Sequence, residues 1–279
     1  MHKLLCSTGT LLGRPNGRNF YLLPEFEKKL CCDGLELMFY DSWYDQADAL
    51  LHVLQSVSLP IAVLHAEKNI CKGLVSDCAE EKELAFSQFR FNCRFAKSIG
   101  AEKMVFHLWD GYMNDEKINT AITLLPRLKQ CADEQNVLLT VENIVCAEND
   151  PFTYLQRIHE LHPDIAFTYD TKMAAFHFQD DCLYSPEAAP LLPAIRHFHI
   201  NDYQGGYKEW QRFKTLHPGD GQVDFNKLFS FIKQTDYKGD FTCEATSFDA
   251  SGQVDFDKLN HTLHTIRKYI REENASYGP

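Results

Sequence analysis

Basic charge is scarce in this chain. Its 28 Lys and Arg face 39 Asp and Glu, for a formal net charge of -11. Binding along a nucleic-acid backbone needs a basic face, so no nucleic-acid partner is expected, although a local basic groove is compatible with this balance. Long hydrophobic runs are also missing. None approaches the roughly 20 residues of a membrane span, and no membrane partner is expected. The opening residues, Met1-His2-Lys3-Leu4-Leu5-Cys6, lack the sustained apolar stretch of a secretory signal. The ten cysteines include no CxxC pair of zinc type, Cys31 and Cys32 are adjacent, and Cys93, Cys131 and Cys243 fall at apolar positions. Reduced thiols and a cytoplasmic location are the expectation. With no linker-like or low-complexity tract to divide it, the chain is expected to form a single domain over residues 1–279. Composition leaves a homo-oligomer open.

What is present is alternation. Apolar, β-prone stretches at 4–10, 34–39, 60–65, 103–108, 137–142, 165–170, 195–200 and 240–244 are separated by helix-like segments. Asp77 with Glu80 resembles a capping box opening a helix that ends at Gly100. Residues 114–136 carry Ile118, Ile122, Leu125 and Leu128 on one side, with Pro126 expected to kink or restart the helix. Phe225, Leu228, Phe229 and Ile232 form one apolar stripe; Phe256, Leu259, Leu263, Ile266 and Ile270 form another. Residues 272–279 are polar and expected to fray. Eight strands alternating with helices point to an α/β fold, a (β/α)8 TIM barrel. A doubly wound open sheet is the rival. It would usually show a Gly-rich phosphate turn, and Gly13-Arg14-Pro15-Asn16-Gly17 is too irregular for one.

The strand ends carry the chemistry. Glu36, His65, His107, Glu142, Asp170, His199 and Glu244 each close a strand candidate or sit just inside its end. In a parallel barrel all such ends surround one mouth. A single carboxylate there is ordinarily a helix cap, and a single His a hydrogen-bonded packing residue. Four consecutive strands ending in Glu142, Asp170, His199 and Glu244 are different, because clustered carboxylates repel unless a cation neutralises them. Three carboxylates and one imidazole suit Mn²⁺, Mg²⁺, Co²⁺ or Zn²⁺.

The ordered set Val141-Glu142-Asn143, Tyr169-Asp170-Thr171, His197-Phe198-His199-Ile200-Asn201-Asp202, Pro218-Gly219-Asp220-Gly221 and Cys243-Glu244 resembles the sugar phosphate isomerase/epimerase family. That family belongs to the xylose-isomerase-like TIM barrels, which include endonuclease IV. The resemblance spans nearly the whole chain. It implies one divalent metal held by Glu142, Asp170, His199 and Glu244, as in the one-metal keto-sugar epimerases, with Glu142 and Glu244 also acting as acid and base on opposite faces of a small carbohydrate substrate. The chemistry agrees: a metal on a carbonyl and adjacent hydroxyl oxygen stabilises the enediolate left when the α-proton departs, while carboxylates move the proton.

Two departures stand out. Met173 takes the place of a His that endonuclease IV uses in its multi-zinc site, and Lys172 replaces the usual glycine, where it reaches either a substrate phosphate or solvent. His177 is expected on a loop or helix face. His65 and His107 match zinc-ligand positions of endonuclease IV and keep a second metal open; the alternative is that they bind substrate hydroxyls. His197 is expected one layer deeper, buried and hydrogen-bonded. Trp109, directly after the fourth strand, either stacks on a sugar ring or packs as core. Lys68 lies on a strand-to-helix loop, as does Trp210, and Lys68, Lys72, Arg212 and Lys214 are candidates for a phosphate grip. The expected activity is therefore a metal-dependent sugar isomerase or epimerase. A zinc phosphodiesterase resembling endonuclease IV and a non-catalytic sugar-binding barrel are the alternatives.

Overall fold

The computed structural model describes residues 2–271. Eight parallel strands close on themselves in sequence order: β1 (Leu4–Ser7), β2 (Gly34–Met38), β3 (Ile61–His65), β4 (Lys103–Phe106), β5 (Leu138–Glu142), β6 (Ala166–Asp170), β7 (Ile195–Ile200) and β8 (Asp240–Cys243). β1 pairs with both β2 and β8, which rules out the open-sheet rival.

Alternation along each strand sorts the side chains onto two faces. Outward residues such as Leu35, Leu37, Met104, Phe106, Leu139, Val141, Phe167 and Phe241 join the main core beneath the helices. Inward residues fill the lumen in layers. At its N-terminal end Lys103 Nζ meets Asp240 Oδ2 at 2.6 Å. Above lie the small apolar cluster of Leu5, Ala62, Val63 and Val105 and the Thr140–Thr168 hydroxyl pair at 2.7 Å. The third layer is ionisable and faces the C-terminal mouth.

The helices pack around the outside, and several details differ from expectation. The first strand is shorter than 4–10, because Ser7 accepts from the Gly9 amide and the chain turns into a 3-10 segment at Thr8–Thr10. The helix Ala79–Ser98 starts from Cys78 rather than Asp77, with no side-chain cap, and Gly100 follows it at φ +77°. The helix Asp115–Asp133, capped by Asn114 accepting from the Lys117 amide, runs through Pro126 without a restart. Pro126 is exposed, on the solvent side of the helix, and the Ile122 carbonyl loses its intrahelical donor there. The final helix, Phe256–Arg271, buries Leu259, Leu263 and Ile266. The expected fraying of 272–279 lies outside the described residues. Cys93 and Cys243 are buried free thiols and Cys131 is half-buried. Among the described residues no helix is long and apolar enough to cross a membrane.

Candidate metal centre

Glu142, the last residue of β5, is the hub of the mouth. Its Oε1 lies 3.1 Å from His199 Nδ1, and its Oε2 lies 2.8 Å from His107 Nε2 and 3.4 Å from His65 Nε2. His199 Nδ1 is also 3.4 Å from Glu244 Oε2 and 3.9 Å from Asp170 Oδ2. One candidate ligand atom from each of Glu142, Asp170, His199 and Glu244 lies within 4.8 Å of the others. Two further groups with metal-ligating chemistry share its members: His65, His107 and Glu142, and Glu36, His197 and His199. Inward parity on β3 through β8 produces this convergence, since each residue sits at or just beyond the last lumen position of its strand.

The donor set fits a cation on an observation independent of its composition. Oε2 of Glu142, Oε1 of Glu244 and Nε2 of both His65 and His107 are buried without a hydrogen-bond partner. The 2.8 Å approach of His107 to Glu142 lacks hydrogen-bonding alignment. Buried polar atoms are ordinarily answered. Here the unanswered atoms belong to two groups of metal-ligating side chains that share Glu142, which fits a cation at the mouth.

Electrostatics follow from this crowding. Burial disfavours the charge on His199, but Glu244, Glu36 and Glu142 around it outweigh that cost and raise it well above an ordinary histidine. The same imidazolium, with His107, draws Glu142 well below the usual carboxylate range despite burial. Glu36 is likewise lowered, burial being overcome by His199 and His197. Burial pushes Asp170 up to about 6, opposed by Lys172 and assisted by Glu142 and Glu244. His107 falls to about 3 through burial, with Glu142 opposing. Without a metal, then, the proton on His199 is the positive charge that keeps these carboxylates together.

Neighbouring residues orient this set. Asn143 Oδ1 accepts from the Asp170 amide at 2.6 Å while its Nδ2 donates to the Asp170 carbonyl at 3.1 Å, locking β5 to β6. Asn201 Nδ2 donates to Asp170 Oδ2 at 3.0 Å and to Glu244 Oε2 at 3.5 Å. The Met173 amide donates to Asp170 Oδ1 at 2.8 Å, so the position after Asp170-Thr171-Lys172 contributes backbone rather than a side-chain ligand. Asp202 accepts from the amides of Tyr203, Gly219, Gly221 and Val223 at 2.8 to 3.0 Å. A Cβ on Gly221 would collide with Asp202 Oδ1, which explains the glycine of the Pro218-Gly219-Asp220-Gly221 turn as a loop clamp.

The remaining sequence candidates divide. Lys68 lines a cleft of about 430 Å³ over the mouth, together with Arg18, Lys172, Thr215 and Glu244. Trp109 does not reach it. The indole is fully buried, donates to the Ile144 carbonyl at 3.0 Å and packs against Tyr154, so of its two readings packing is the one realised. Trp210 stacks on Tyr112. Lys72 pairs with Asp110 at 3.3 Å and Arg212 with Glu209 at 3.2 Å, and neither they nor Lys214 line the cleft. His177 ends the helix Thr171–Phe176, where it accepts from the Cys146 amide and contacts Asp150, pinning the loop after β5. His197 is buried one layer down, with Nε2 2.8 Å from Thr242 Oγ1 and 3.0 Å from Glu36 Oε2.

Sequence reasoning noticed Glu36 as a strand-end acid but did not place it at the centre. Its carboxylate faces His199 Nε2 at 3.1 and 3.2 Å, leaving Nδ1 turned to the other acids. Its lumen parity with Gly34 and Met38 on β2 was the available signal. Asn201 was visible only as part of a motif. Arg18 carried no signal, since a loop far from every strand end delivers it.

Comparison with known proteins agrees with this architecture. The family described as xylose isomerase-like TIM barrel matches residues 26–269. The chain belongs to that family. Among solved structures it resembles a D-tagatose 3-epimerase-like protein at 16% identity and TM-score 0.71, covering 96% of this chain and 97% of that one. It also resembles the D-allulose 3-epimerase of Methylomonas sp. solved in complex with D-allulose, at 15% identity and TM-score 0.69, with 96% and 97% covered. A Thermus thermophilus protein soaked with ZnCl2 is similar at 19% identity and TM-score 0.67, with 96% and 99% covered. No curated protein matches the sequence.

Proposed function

We propose that this chain is a metal-dependent isomerase or epimerase of a small sugar, keto-sugar or sugar phosphate. The observation that carries the reading is a pair of buried, unanswered carboxylate oxygens, on Glu142 and Glu244, grouped with Asp170 and His199 beside a cleft of about 430 Å³. That volume suits a small ligand. Similarity of fold to sugar epimerases supports the same class.

Glu142, Asp170, His199 through Nδ1, and Glu244 would hold one divalent ion, of Mn²⁺, Mg²⁺, Co²⁺ or Zn²⁺. Bound there, the ion supplies Lewis-acid stabilisation of negative charge on a substrate carbonyl oxygen. Proton movement belongs to the chain. One glutamate takes the proton from the carbon beside the carbonyl, and the freed electron pair forms the carbon–carbon double bond of an enediolate. The other glutamate returns a proton, to the opposite face in an epimerase or to the adjacent carbon in an isomerase. Glu142 is buried at the end of β5 with its Oε2 free of any hydrogen-bond partner. Glu244 borders the cleft and is steadied by Asn201. His65 and His107 flank Glu142 and address substrate hydroxyls, and Lys68 contacts the substrate from the cleft wall.

The test is solvent deuterium incorporation by the metal-loaded protein across a panel of ketoses and ketose phosphates. Glu142→Gln and Glu244→Gln should each lower exchange by about 10²- to 10⁴-fold. Full exchange in both variants with metal retained would eliminate the two-glutamate mechanism. Metal-dependent ligand binding with no deuterium incorporated would leave a non-catalytic sugar-binding barrel. A second cation between His65, His107 and Glu142 is the alternative to the substrate-hydroxyl role, since the Nε2 atoms of the two histidines have no partner. Metal content near two per chain would establish it. Three zinc ions per chain would favour the phosphodiesterase alternative.

A further inference from the structure

We infer that the substrate is an anion, carrying a phosphate or carboxylate group held by Arg18, Lys68 and Lys172 on the wall of the cleft above Glu244. The inference rests on the sugar isomerase or epimerase reading for what happens to the ligand, but not for the anion contact itself.

Against a chain charge of -11, three cations meet on one cleft. None of the three forms an ion pair among the described residues. Lys172 is the most constrained. Only 7% exposed, it donates from Nζ to Thr215 Oγ1 at 2.9 Å and lies 4.8 Å from the Phe213 ring centroid. An ammonium has three donors, and Thr215 occupies one. A buried cation with unused donors and no carboxylate paired to it is unfavourable unless something completes it. Lys68 is exposed on the loop that follows His65, beside the same opening. Arg18 is half-buried, its guanidinium resting 4.3 Å from the Tyr40 ring centroid, which holds the planar fork in place without consuming its hydrogen-bond donors.

The cleft also carries three acids, Glu67, Asp41 and Glu244. Glu67 Oε1 accepts from Asn69 N at 3.0 Å and Asn69 Nδ2 at 2.7 Å. Asp41 is exposed at the rim. Glu244 belongs to the metal-ligating group. The competing account is that Lys172 merely offsets the carboxylates beneath it, since it opposes the upward shift of Asp170. That account predicts weakened retention of the ligand set in Lys172→Met and no anion selectivity.

The experiment uses the Mn²⁺-loaded protein in two arms. In the first, inorganic phosphate is titrated by calorimetry into wild type, Lys172→Met and the Arg18→Ala/Lys68→Ala double variant, with metal content measured for each. In the second, deuterium exchange is compared between matched neutral ketoses, ketose phosphates and keto-aldonates. Expected are phosphate binding weakened in both variants, and a preference for one anionic class over neutral sugars of on the order of 100-fold that collapses in the variants. Whichever anionic class exchanges identifies phosphate or carboxylate. Equal or better exchange of neutral ketoses, or phosphate binding unchanged in both variants, overturns the inference while leaving the isomerase reading intact. Variant-sensitive phosphate binding with no exchange in any sugar would keep the anion site and remove the isomerase reading.

Discussion

The two ends of the barrel lumen use polar residues in opposite ways. At the N-terminal end charge closes on charge: Lys103 meets Asp240 at 2.6 Å, and the Lys3 amide donates to the other Asp240 oxygen at 3.0 Å. Thr140 and Thr168 answer one another a layer above. At the C-terminal mouth, equally buried atoms of Glu142, Glu244, His65 and His107 are left unanswered. The same strand alternation builds both ends, so the difference lies in residue choice. At the N-terminal end of the lumen, polar groups are matched within the chain. Where it meets solvent and ligand, they are left short of partners.

Glu36 sits on the border between these regimes. It faces His199 Nε2, which fixes the ring so that Nδ1 points to Glu142, Asp170 and Glu244. Glu36→Gln should weaken divalent-metal affinity about ten- to a hundred-fold in competition titrations against a chelator. Unchanged affinity would place Glu36 with the closed lower layer and move the border up.

Breaking the lower end should do the reverse. Asp240→Asn leaves Lys103, largely buried, without its partner, and is expected to cost about 2 kcal/mol in denaturant unfolding with turnover and metal affinity unchanged. Lys103 also draws Asp240 below its usual value against the effect of burial. This contribution is therefore present above the unfolded value of 3.8 and is lost as pH falls through the lower folded one. A loss of turnover in Asp240→Asn matching that of Glu142→Gln would erase the distinction between the ends.

The mouth should also respond to pH. Asp170, raised to about 6, and His199, raised well above its usual value, must both shed protons to ligate a cation. Metal affinity should thus fall as pH drops through about 6, by about tenfold per unit for each proton released. Because both groups are raised on folding, their protonated forms favour the metal-free fold at low pH. For Asp170 that stabilisation is complete below 3.8 and lost as pH rises through about 6. Flat metal affinity between pH 5 and 8 would mean that the mouth is not exchanging protons for metal.

Much of this could be read from the chain because barrel strands are short, regular and end on one face. Once the eight stretches were placed, Glu142, Asp170, His199 and Glu244 had to approach one another. Loops offered no such rule. Trp109 follows β4 as a sugar-stacking residue would, yet the chain turns it inward onto Tyr154, because the Ile144 carbonyl offers its indole a partner. Arg18 lies between β1 and β2 with no periodicity to place it, and its backbone at φ +54° is a local conformation that side-chain pattern does not encode. The Asp77 cap failed for a related reason. Ser76 accepts from the Cys78 amide at 3.1 Å, and the helix opens one residue later than the motif suggests.

Asp202 carries a consequence for motion at the rim. The connection 201–224 between β7 and the helix Phe225–Gln234 is long, and an untethered segment of that length explores many shapes. One carboxylate gathers the amides of Gly219, Gly221 and Val223 back to the foot of the strand, so the segment is divided into a small fixed turn and a separate lobe. Thr215, the hydroxyl that receives Lys172, rides on that lobe just before the tether. Leu216, the next residue, is itself paired with the Asp202 backbone, its carbonyl accepting at 2.9 Å and its amide donating at 3.1 Å, so any opening that frees the cleft wall has to occur in the lobe ahead of Leu216.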